Sequence, residues 1–225
     1  MIIAIDGTSG SGKSYLGKQL ARNLNYAFLS SGSIYRAMAL SITIAKLDPH
    51  QEDKITDHIK NNTKIEIKVD NGLSEMYLNG KKVVLELRTP EVTSVSAIIS
   101  KIPKIREIAR YLQHKIADEC KNIVVDGRDI GSVVFPNADI KFFVTADIDV
   151  RAKRRLQDYL KTNSKISLSE VKKELIARDQ EDTNRKISPL IVPKGAIIIN
   201  TSNQSREEIV NEVKGIVLNY IKKHS

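Results

Sequence analysis

The sequence has no tryptophan and a single cysteine, Cys120, among its 225 residues. One thiol cannot build a disulfide framework within the chain, which favours a reducing compartment such as the cytoplasm. No apolar stretch approaches the roughly 20 residues of a membrane-spanning helix, and an apolar strand pattern follows Met1 directly. We therefore expect a cytoplasmic protein with neither a membrane span nor a signal peptide. The four histidines show no metal-ligand spacing, so we expect no structural zinc.

Aromatic residues are also scarce, at 5%, although the formal net charge is +9. Proteins that bind single-stranded nucleic acid stack the bases on aromatic side chains, and this sequence offers few of them. The arginines stand singly or in pairs beside acidic residues within patterned segments, and they form no basic tail. We therefore expect the positive charge to bind small substrates that carry several negative charges. An ATP-dependent nucleic-acid-binding protein is the alternative from another class.

The most specific pattern lies in the first fourteen residues. Residues 2–5 form a short apolar run that indicates a buried strand. Residues 7–14 read Gly-Thr-Ser-Gly-Ser-Gly-Lys-Ser, which matches the phosphate-binding loop G-x-x-x-x-G-K-[ST] in full. Leu16, Leu20 and Leu24 follow at helical spacing, so the loop lies between a strand and a helix whose N-terminus attracts anions. The sequence therefore predicts a site for a nucleoside triphosphate.

Each residue type in this loop has a chemical reason. Glycines let the backbone wrap closely around phosphate oxygens, Lys13 supplies a cation for the β- and γ-phosphates, and the Ser14 hydroxyl can coordinate Mg²⁺. We therefore predict ATP and Mg²⁺ as the ligands, with Ser14 as the metal ligand. The residues that we expect to contact ATP in this part of the chain are Gly7, Thr8, Ser9, Gly10, Ser11, Gly12, Lys13, Ser14 and Tyr15.

The remaining pattern predicts an α/β fold. Mostly apolar runs of strand length lie at residues 27–29, 123–126, 140–144 and 196–199. Helical patterns alternate with these runs, which predicts a three-layer P-loop fold with a parallel sheet of about five strands flanked by helices. Between residues 63 and 87 the apolar period changes to two, with turn signals at residues 70–72 and at Asn79-Gly80. That segment is predicted to form a small inserted antiparallel meander.

Polar side chains follow several of these elements. Residues 30–36 read Ser-Ser-Gly-Ser-Ile-Tyr-Arg and follow a strand, so they suit either a helix N-cap or a second ligand. Gly127-Arg128-Asp129 follows another strand, where the aspartate could simply end the strand. A helix that begins with the capping-box pair Ser167 and Glu170 carries an Arg-Asp…Asp…Arg pattern at residues 178–185. Its Arg178 and Asp182, four residues apart, could also form only a surface ion pair.

Together these motifs resemble the bacterial cytidylate kinases of the nucleoside monophosphate kinase superfamily. The phosphate loop, the two polar turns, the basic cluster at residues 151–155 and the Arg-Asp…Asp…Arg helix occur in the order of that family, between Gly7 and about Leu190. The inserted meander is itself typical of the family. The resemblance implies transfer of the γ-phosphoryl group of ATP to CMP and dCMP, giving CDP or dCDP and ADP.

The resemblance also implies roles for individual residues. Ser31, Arg106 and Asp129 match contacts to the cytosine ring, and Ser96, Arg178 and Asp182 match positions near the sugar. The acceptor phosphate is assigned to Arg36, Arg128 and Arg185, with Tyr35 in the same substrate site. Arg154 matches a residue of a mobile lid that reaches ATP, with Arg151 and Arg155 as weaker candidates. The implied catalytic residues are Lys13, Arg128, Arg154 and Arg185.

Three departures from the family pattern stand out. Ser30 occupies a place where many relatives have aspartate, the segment from Ser96 to Arg106 is one residue longer, and residues 200–202 are less acidic. The rival kinases on the same fold are adenylate kinases and shikimate-type kinases, and the Gly127-Arg128-Asp129 turn and the meander argue against both.

We expect residues 1–225 to form one kinase unit that works as a monomer. Within it we predict a monophosphate-binding insert at residues 31–100, a lid at residues 155–170 and a core. The expected partners are the small-molecule substrates, without nucleic acid or membrane.

Overall fold

The computed structural model describes residues 1–70, 73–160 and 166–224. In these ranges the α-helices are α1 (Lys13–Leu24), α2 (Ser31–Ile44), α3 (Glu52–Asn62), α4 (Pro90–Ile99), α5 (Pro103–Cys120), α6 (Ile148–Leu160), α7 (Leu168–Asn184) and α8 (Arg206–His224). The strands are β1 (Ile2–Gly7), β2 (Ala27–Ser30), β3 (Ile65–Asp70), β4 (Leu73–Leu78), β5 (Lys81–Lys82), β6 (Ile123–Asp126), β7 (Ile140–Thr145) and β8 (Ile197–Asn200). Within these residues, no helix is both long enough and apolar enough to cross a membrane.

The main sheet has five strands, the number that the sequence predicts, and their order is β2-β6-β1-β7-β8. β1 pairs in parallel with β7, where Ile5 lies opposite Phe142, and β7 pairs in parallel with β8. A parallel sheet is covered on both faces, so its inner strands consist of continuous apolar runs instead of alternating ones. The predicted α/β fold, with a parallel sheet flanked by helices, is therefore confirmed.

The chain divides into two compact units. The first consists of Met1–Leu24 and Val124–Ser225. Its core contains fully buried residues of β1 and β7, among them Ile3, Ile5 and Phe142. α1 packs against α8, and α6 packs against α7. The phosphate loop and the Arg-Asp…Asp…Arg helix therefore belong to this unit.

The second unit consists of Asn25–Ile123. In it α2 packs against α3, α4 and α5, and β3, β4 and β5 form the predicted antiparallel meander. Asn79 and Gly80 both have positive φ, 48° and 80°, as a two-residue hairpin turn requires. Of the other predicted turn, residues 71 and 72 lie outside the described residues. The same holds for residues 161–165 of the predicted lid, and the limits of the lid and of the insert stay predictions.

Gly7 makes the sharp transition from β1 into the phosphate loop. Its φ is +143°, a conformation that side-chain-bearing residues rarely adopt. A Cβ atom at this position would lie 1.9 Å from the carbonyl oxygen of Val144, its partner in β7. Because that oxygen belongs to the backbone of an inner strand, the clash cannot be relieved by a side-chain rotation. Only glycine allows the loop to leave the sheet here.

We expect Gly7→Ala to lower the free energy of unfolding by about 3 kcal/mol or more, since strand β1 or β7 must shift to admit the methyl group. Urea denaturation followed by circular dichroism measures the change. Gly215→Ala is the matched control, because a Cβ at this position of helix α8 meets no atom within 4 Å. It should raise stability by about 0.5–1 kcal/mol. Equal stabilities for the two variants would contradict the steric argument.

Candidate active site

The phosphate loop lies between β1 and α1, as the sequence predicts. Gly10 and Gly12 have φ of +75° and +96°, so the loop uses its glycines for left-handed backbone. Lys13, the first residue of α1, is only 6% exposed, and its Nζ donates to the carbonyl oxygen of Thr8 at 2.6 Å. The hydroxyl of Ser11 donates to the same oxygen at 2.9 Å. The lysine is therefore folded back across the loop that a phosphate would occupy.

The charge of Lys13 is strongly affected by its surroundings. Burial lowers the pKa of Lys13 well below its usual value, and the nearby positive charge of Arg128 lowers it further. Asp126, Asp6 and Asp182 act in the opposite direction, each raising that pKa. A phosphate bound here would stabilise the ammonium form that burial disfavours. Lys13 and Arg128 are thus close enough to repel each other, and an anion would relieve that repulsion.

Ser14 and Asp126 form the part of the site that fits a metal. The Ser14 hydroxyl donates to Oδ2 of Asp126, and the buried Oδ1 of Asp126 has no hydrogen-bond partner. Hydroxyl and carboxylate oxygens are ligands that Mg²⁺ prefers, and substrate phosphates and water supply the others. Among the described residues, no group of three His, Cys, Asp or Glu side chains could hold a metal alone. The pair therefore fits Mg²⁺ that arrives with a nucleotide.

Asp126 is absent from the predicted site residues, although the sequence contains a signal for it. The residue ends the aliphatic run of β6 at the carboxyl end of a parallel strand, where ligands of α/β sheets bind.

Asp6 connects the start of the phosphate loop to the turn that carries Arg128. Its two carboxylate oxygens accept the backbone N–H groups of Ile130 at 2.8 Å and Gly131 at 2.7 Å. The N–H of Gly127 donates to the carbonyl oxygen of Ile5 at 2.9 Å. Burial raises the pKa of Asp6 to about 6, although the two backbone donors lower it. No role for Asp6 follows from the sequence pattern, because both of its donors are over a hundred residues away.

Three arginines of the first unit, Arg128, Arg178 and Arg185, form what we call the arginine cluster. Nε of Arg128 donates to Asp182 at 2.6 Å. The guanidinium of Arg185 lies 3.6 Å from Asp129 and 3.7 Å from Asp182. Desolvation and the charge of Arg128 both lower the pKa of Arg178. Three guanidinium groups with two carboxylates leave a net positive charge, which suits an anionic ligand.

The alternative interpretation of Arg178 and Asp182 as only a surface ion pair is wrong for Asp182. This carboxylate pairs with Arg128, fifty-four residues away in sequence, and both side chains are about four-fifths buried.

Two arginines of the basic cluster at residues 151–155 hold the phosphate loop, one directly and one through Thr201. Arg154 donates to the hydroxyl oxygen of Thr201 at 2.9 Å and to its carbonyl oxygen at 2.7 Å, and that hydroxyl donates to the Ser11 carbonyl oxygen at 3.0 Å. Arg151 is only 8% exposed and donates to the carbonyl oxygen of Ser9 at 3.0 Å. Arg151 is therefore buried against the loop and is not part of a solvated helix face. Neither Thr201 nor the contact between Arg151 and the loop follows from the sequence pattern.

Tyr15 and Arg155 have partners of their own. The ring of Tyr15 is 40% exposed, with the Arg206 guanidinium 4.9 Å from its centroid. The guanidinium of Arg155 lies 4.7 Å from the ring of Tyr159 on the same helix. The predicted contact of Tyr15 with ATP stays a prediction.

The other predicted substrate residues lie in the second unit. Ser31 begins α2 and is buried, whereas Ser30 occupies the N-cap position without a side-chain capping hydrogen bond. Arg106 places its guanidinium 5.8 Å from the ring centroid of Tyr35 and donates to the carbonyl oxygen of Ser100 at 3.1 Å.

Arg36 and Ser96 are half-buried, and their helices α2 and α4 pack together. The second unit thus brings Arg106 to Tyr35, and it packs the helices of Arg36 and Ser96 against each other.

A family model described as cytidylate kinase matches residues 3–222. A cytidylate kinase of Caldanaerobacter subterraneus subsp. tengcongensis is 39% identical over 211 residues, which cover 94% of this chain and 92% of the relative. One of Thermotoga sp. strain RQ2 is 37% identical over 216 residues, 96% of each chain. The crystal structure of an uncharacterized protein from Eubacterium ventriosum has a TM-score of 0.52 at 14% identity, covering 99% of this chain and 98% of the other. The last likeness concerns the fold alone.

The buried Asp6 carboxylate should make stability depend on pH. Because folding raises its pKa from 3.8 to about 6, its stabilisation is complete below pH 3.8 and is lost as the pH rises through 6. The free energy of unfolding of wild type relative to Asp6→Asn should therefore fall by about 2–3 kcal/mol between pH 3.5 and 7. Chemical denaturation at several pH values measures this difference.

The exposed Asp53 is the control for this measurement. The hydrogen bond to Lys104 lowers the pKa of Asp53. The contribution of Asp53 to the free energy of unfolding is therefore lost as the pH falls, in the opposite direction to that of Asp6. A pH-independent difference between wild type and Asp6→Asn would show that Asp6 titrates normally.

Proposed function

The chain belongs to the cytidylate kinase family, and we propose that its phosphate loop and arginine cluster transfer the γ-phosphoryl group of ATP to CMP. The observation that carries this proposal is that Lys13 is buried in the phosphate loop and lies near Arg128, whose Nε donates to Asp182 at 2.6 Å. A loop built for a triphosphate thus adjoins an excess of guanidinium groups. A kinase with two anionic substrates needs this arrangement, because their phosphates repel each other when they approach.

The chemistry is one of alignment and charge stabilisation. The acceptor phosphate of CMP is already ionised, so the reaction needs no general base. Lys13 stabilises the charge on the transferred group, and its release from the carbonyl oxygen of Thr8 would free its Nζ for this contact. Arg128 and Arg185 hold the acceptor phosphate, since planar guanidinium groups bind two phosphate oxygens at once and stay charged. Asp182, which contacts both arginines, holds their side chains in place beforehand.

Ser14 and Asp126 would hold Mg²⁺. The unpartnered, buried Oδ1 of Asp126 supports this assignment, because a buried carboxylate oxygen otherwise lacks compensation. When bound, the metal neutralises phosphate charge. The protein's own contribution is to fix the two oxygen ligands at the end of β6 and the start of α1.

The remaining substrate contacts are proposed from the resemblance to the family. Asp129 would accept a hydrogen bond from the cytosine amino group, and Arg178 and Asp182 would lie near the sugar. The second unit would supply Ser31, Tyr35, Arg36, Ser96 and Arg106. The buried position of Ser31 and the contact of Arg106 with Tyr35 support specific roles for these polar groups. Arg154, held by Thr201 beside Ser11, would act on the ATP side.

We further propose that dCMP is a second acceptor and that the enzyme acts as a monomer in the cytoplasm. The single cysteine supports a reducing compartment. Light scattering coupled to size exclusion tests the monomer.

A coupled assay of ATP with CMP, dCMP, UMP and AMP tests the proposed function. Wild type should use CMP and dCMP best. Lys13→Ala should lower kcat/KM by a factor that corresponds to the loss of about 3 kcal/mol or more of transition-state stabilisation. Its circular dichroism spectrum should match that of wild type. Lys18→Ala, on an exposed position of α1, is the control and should behave as wild type. A folded Lys13→Ala with normal turnover would contradict the assignment.

Asp129 should decide between cytosine and uracil. A carboxylate can only accept a hydrogen bond, so it pairs with the cytosine amino group and repels the uracil carbonyl oxygen. Asp129→Ala should therefore lower kcat/KM for CMP more than for UMP, reducing the discrimination by about 1–3 kcal/mol. The informative quantity is the ratio of kcat/KM for CMP to kcat/KM for UMP. Loss of the Asp129 carboxylate also affects Arg185, but that effect is common to both nucleotides and cancels in the ratio. An unchanged ratio would place base selection elsewhere.

A further inference from the structure

We infer that Asp179 and Arg151 are positioning residues that fix the shape of the phosphate loop at Ser9, and this inference rests on the proposed function. Oδ1 of Asp179 accepts the backbone N–H of Ser9 at 2.9 Å. Nη1 of Arg151 donates to the carbonyl oxygen of Ser9 at 3.0 Å and also to Oδ2 of Asp179. Both backbone polar groups of one loop residue are therefore held by a single ion pair.

The ion pair is built into the protein and is not a surface contact. The side chains of Arg151 and Asp179 are only 10% and 17% exposed. Nε of Arg151 also donates to the carbonyl oxygen of Ala146 at 2.9 Å, which fixes the guanidinium from its other side. A buried ion pair contributes little net stability, because desolvation offsets its attraction. Its more specific effect is to hold the groups that it hydrogen-bonds in one geometry.

The phosphate loop needs such an external restraint. Ser9 stands between Gly7 and Gly10, and the positive φ values of these glycines are permitted by glycine but not imposed by it. A Cβ at Gly10 would lie 3.4 Å from Cβ of Arg151 and 3.7 Å from Leu175, so α6 and α7 lie directly against the loop. The shape of the loop therefore depends on side chains from these two helices.

Helices α6 and α7 are themselves fixed to each other. Ala152 of α6 and Val171 and Leu175 of α7 form a small buried core, with further partly buried apolar residues around it. α7 also carries Arg178 and Asp182, one residue before and three residues after Asp179. The same helix thus holds the phosphate loop through Asp179 and the arginine cluster through Asp182. A shift of α7 would therefore move the contacts to the phosphate loop and to the arginine cluster together.

The competing assignment is that Arg151 contacts ATP directly. A double-mutant cycle separates the two, because a positioning pair acts only when both members are present. The variants are Asp179→Ala, Arg151→Met and their combination. Asp179→Asn is added as a milder change that can still accept the Ser9 N–H but removes the charge that pairs with Arg151.

The matched control is another ion pair between the same two helices. Lys172 of α7 donates to Asp149 of α6 at 2.7 Å, and this exposed pair has no contact with Ser9 in the described structure. The double variant Asp149→Ala/Lys172→Ala therefore removes an α6–α7 ion pair without touching the phosphate loop. For each protein we would measure ATP affinity by calorimetry without CMP, kcat and both KM values, and the melting temperature.

Asp179→Ala and Arg151→Met should each lower kcat/KM for ATP by about 10–100-fold, and the combined variant should be no worse than either. KM for CMP and all properties of the control should stay unchanged, and Asp179→Asn should lie between Asp179→Ala and wild type. A loss confined to Arg151→Met would show direct ATP contact and overturn the inference. Wild-type kinetics in Asp179→Ala, or equal losses for both substrates that follow the melting temperature, would also overturn it. The proposed function fails separately, if wild type itself does not phosphorylate CMP.

Discussion

A buried carboxylate needs hydrogen-bond donors, and the structure depends on how Asp6 obtains them. Its two oxygens take the backbone N–H groups of Ile130 and Gly131, just after the Gly127-Arg128-Asp129 turn. The end of β1 is thereby tied to the turn after β6, at the edge of the sheet where both strands end. Because Gly7 starts the phosphate loop directly after Asp6, the position of Arg128 relative to that loop is set by these two hydrogen bonds.

The positive side chains near Asp6 can attract an anion, and carboxylates balance part of their charge in the absence of a ligand. Asp182 pairs with Arg128 and lies near Arg185, so the arginines are held in place before any ligand arrives. A cluster of arginines without carboxylates would repel itself and adopt many conformations. Too many carboxylates would cancel the attraction for phosphate. Three guanidinium groups with two carboxylates meet both requirements. Lys13 adds a further cation, and an incoming phosphate would stabilise the ammonium form that burial of this lysine disfavours.

Local patterns predicted the fold and the position of the phosphate loop. The apolar runs, the glycine-rich loop, the Asn79-Gly80 turn and the Ser167 capping box each depend on neighbours within a few positions, and the structure has them all. Asp6, Asp179 and Thr201 could not be assigned in this way. Each of them has a backbone partner, in the phosphate loop or after the Gly127-Arg128-Asp129 turn, that lies over a hundred residues away, and no local pattern shows such a contact. Asp126 is an intermediate case. No prediction included it, but its place at the end of an aliphatic run is a local signal for a ligand position.

The long-range contacts also explain how the loop can present its backbone to a phosphate. The carbonyl oxygens of Thr8, Ser9 and Ser11 accept hydrogen bonds from Lys13, Arg151 and Thr201 respectively. In a trans peptide the carbonyl and the following N–H point in opposite directions, and the described chain has no cis peptide bond. Holding the carbonyls of Ser9 and Ser11 against the protein therefore turns the N–H groups of Gly10 and Gly12 away from those donors. The glycines permit this geometry, but the surrounding side chains select it, so the binding capacity of the motif depends on residues outside it.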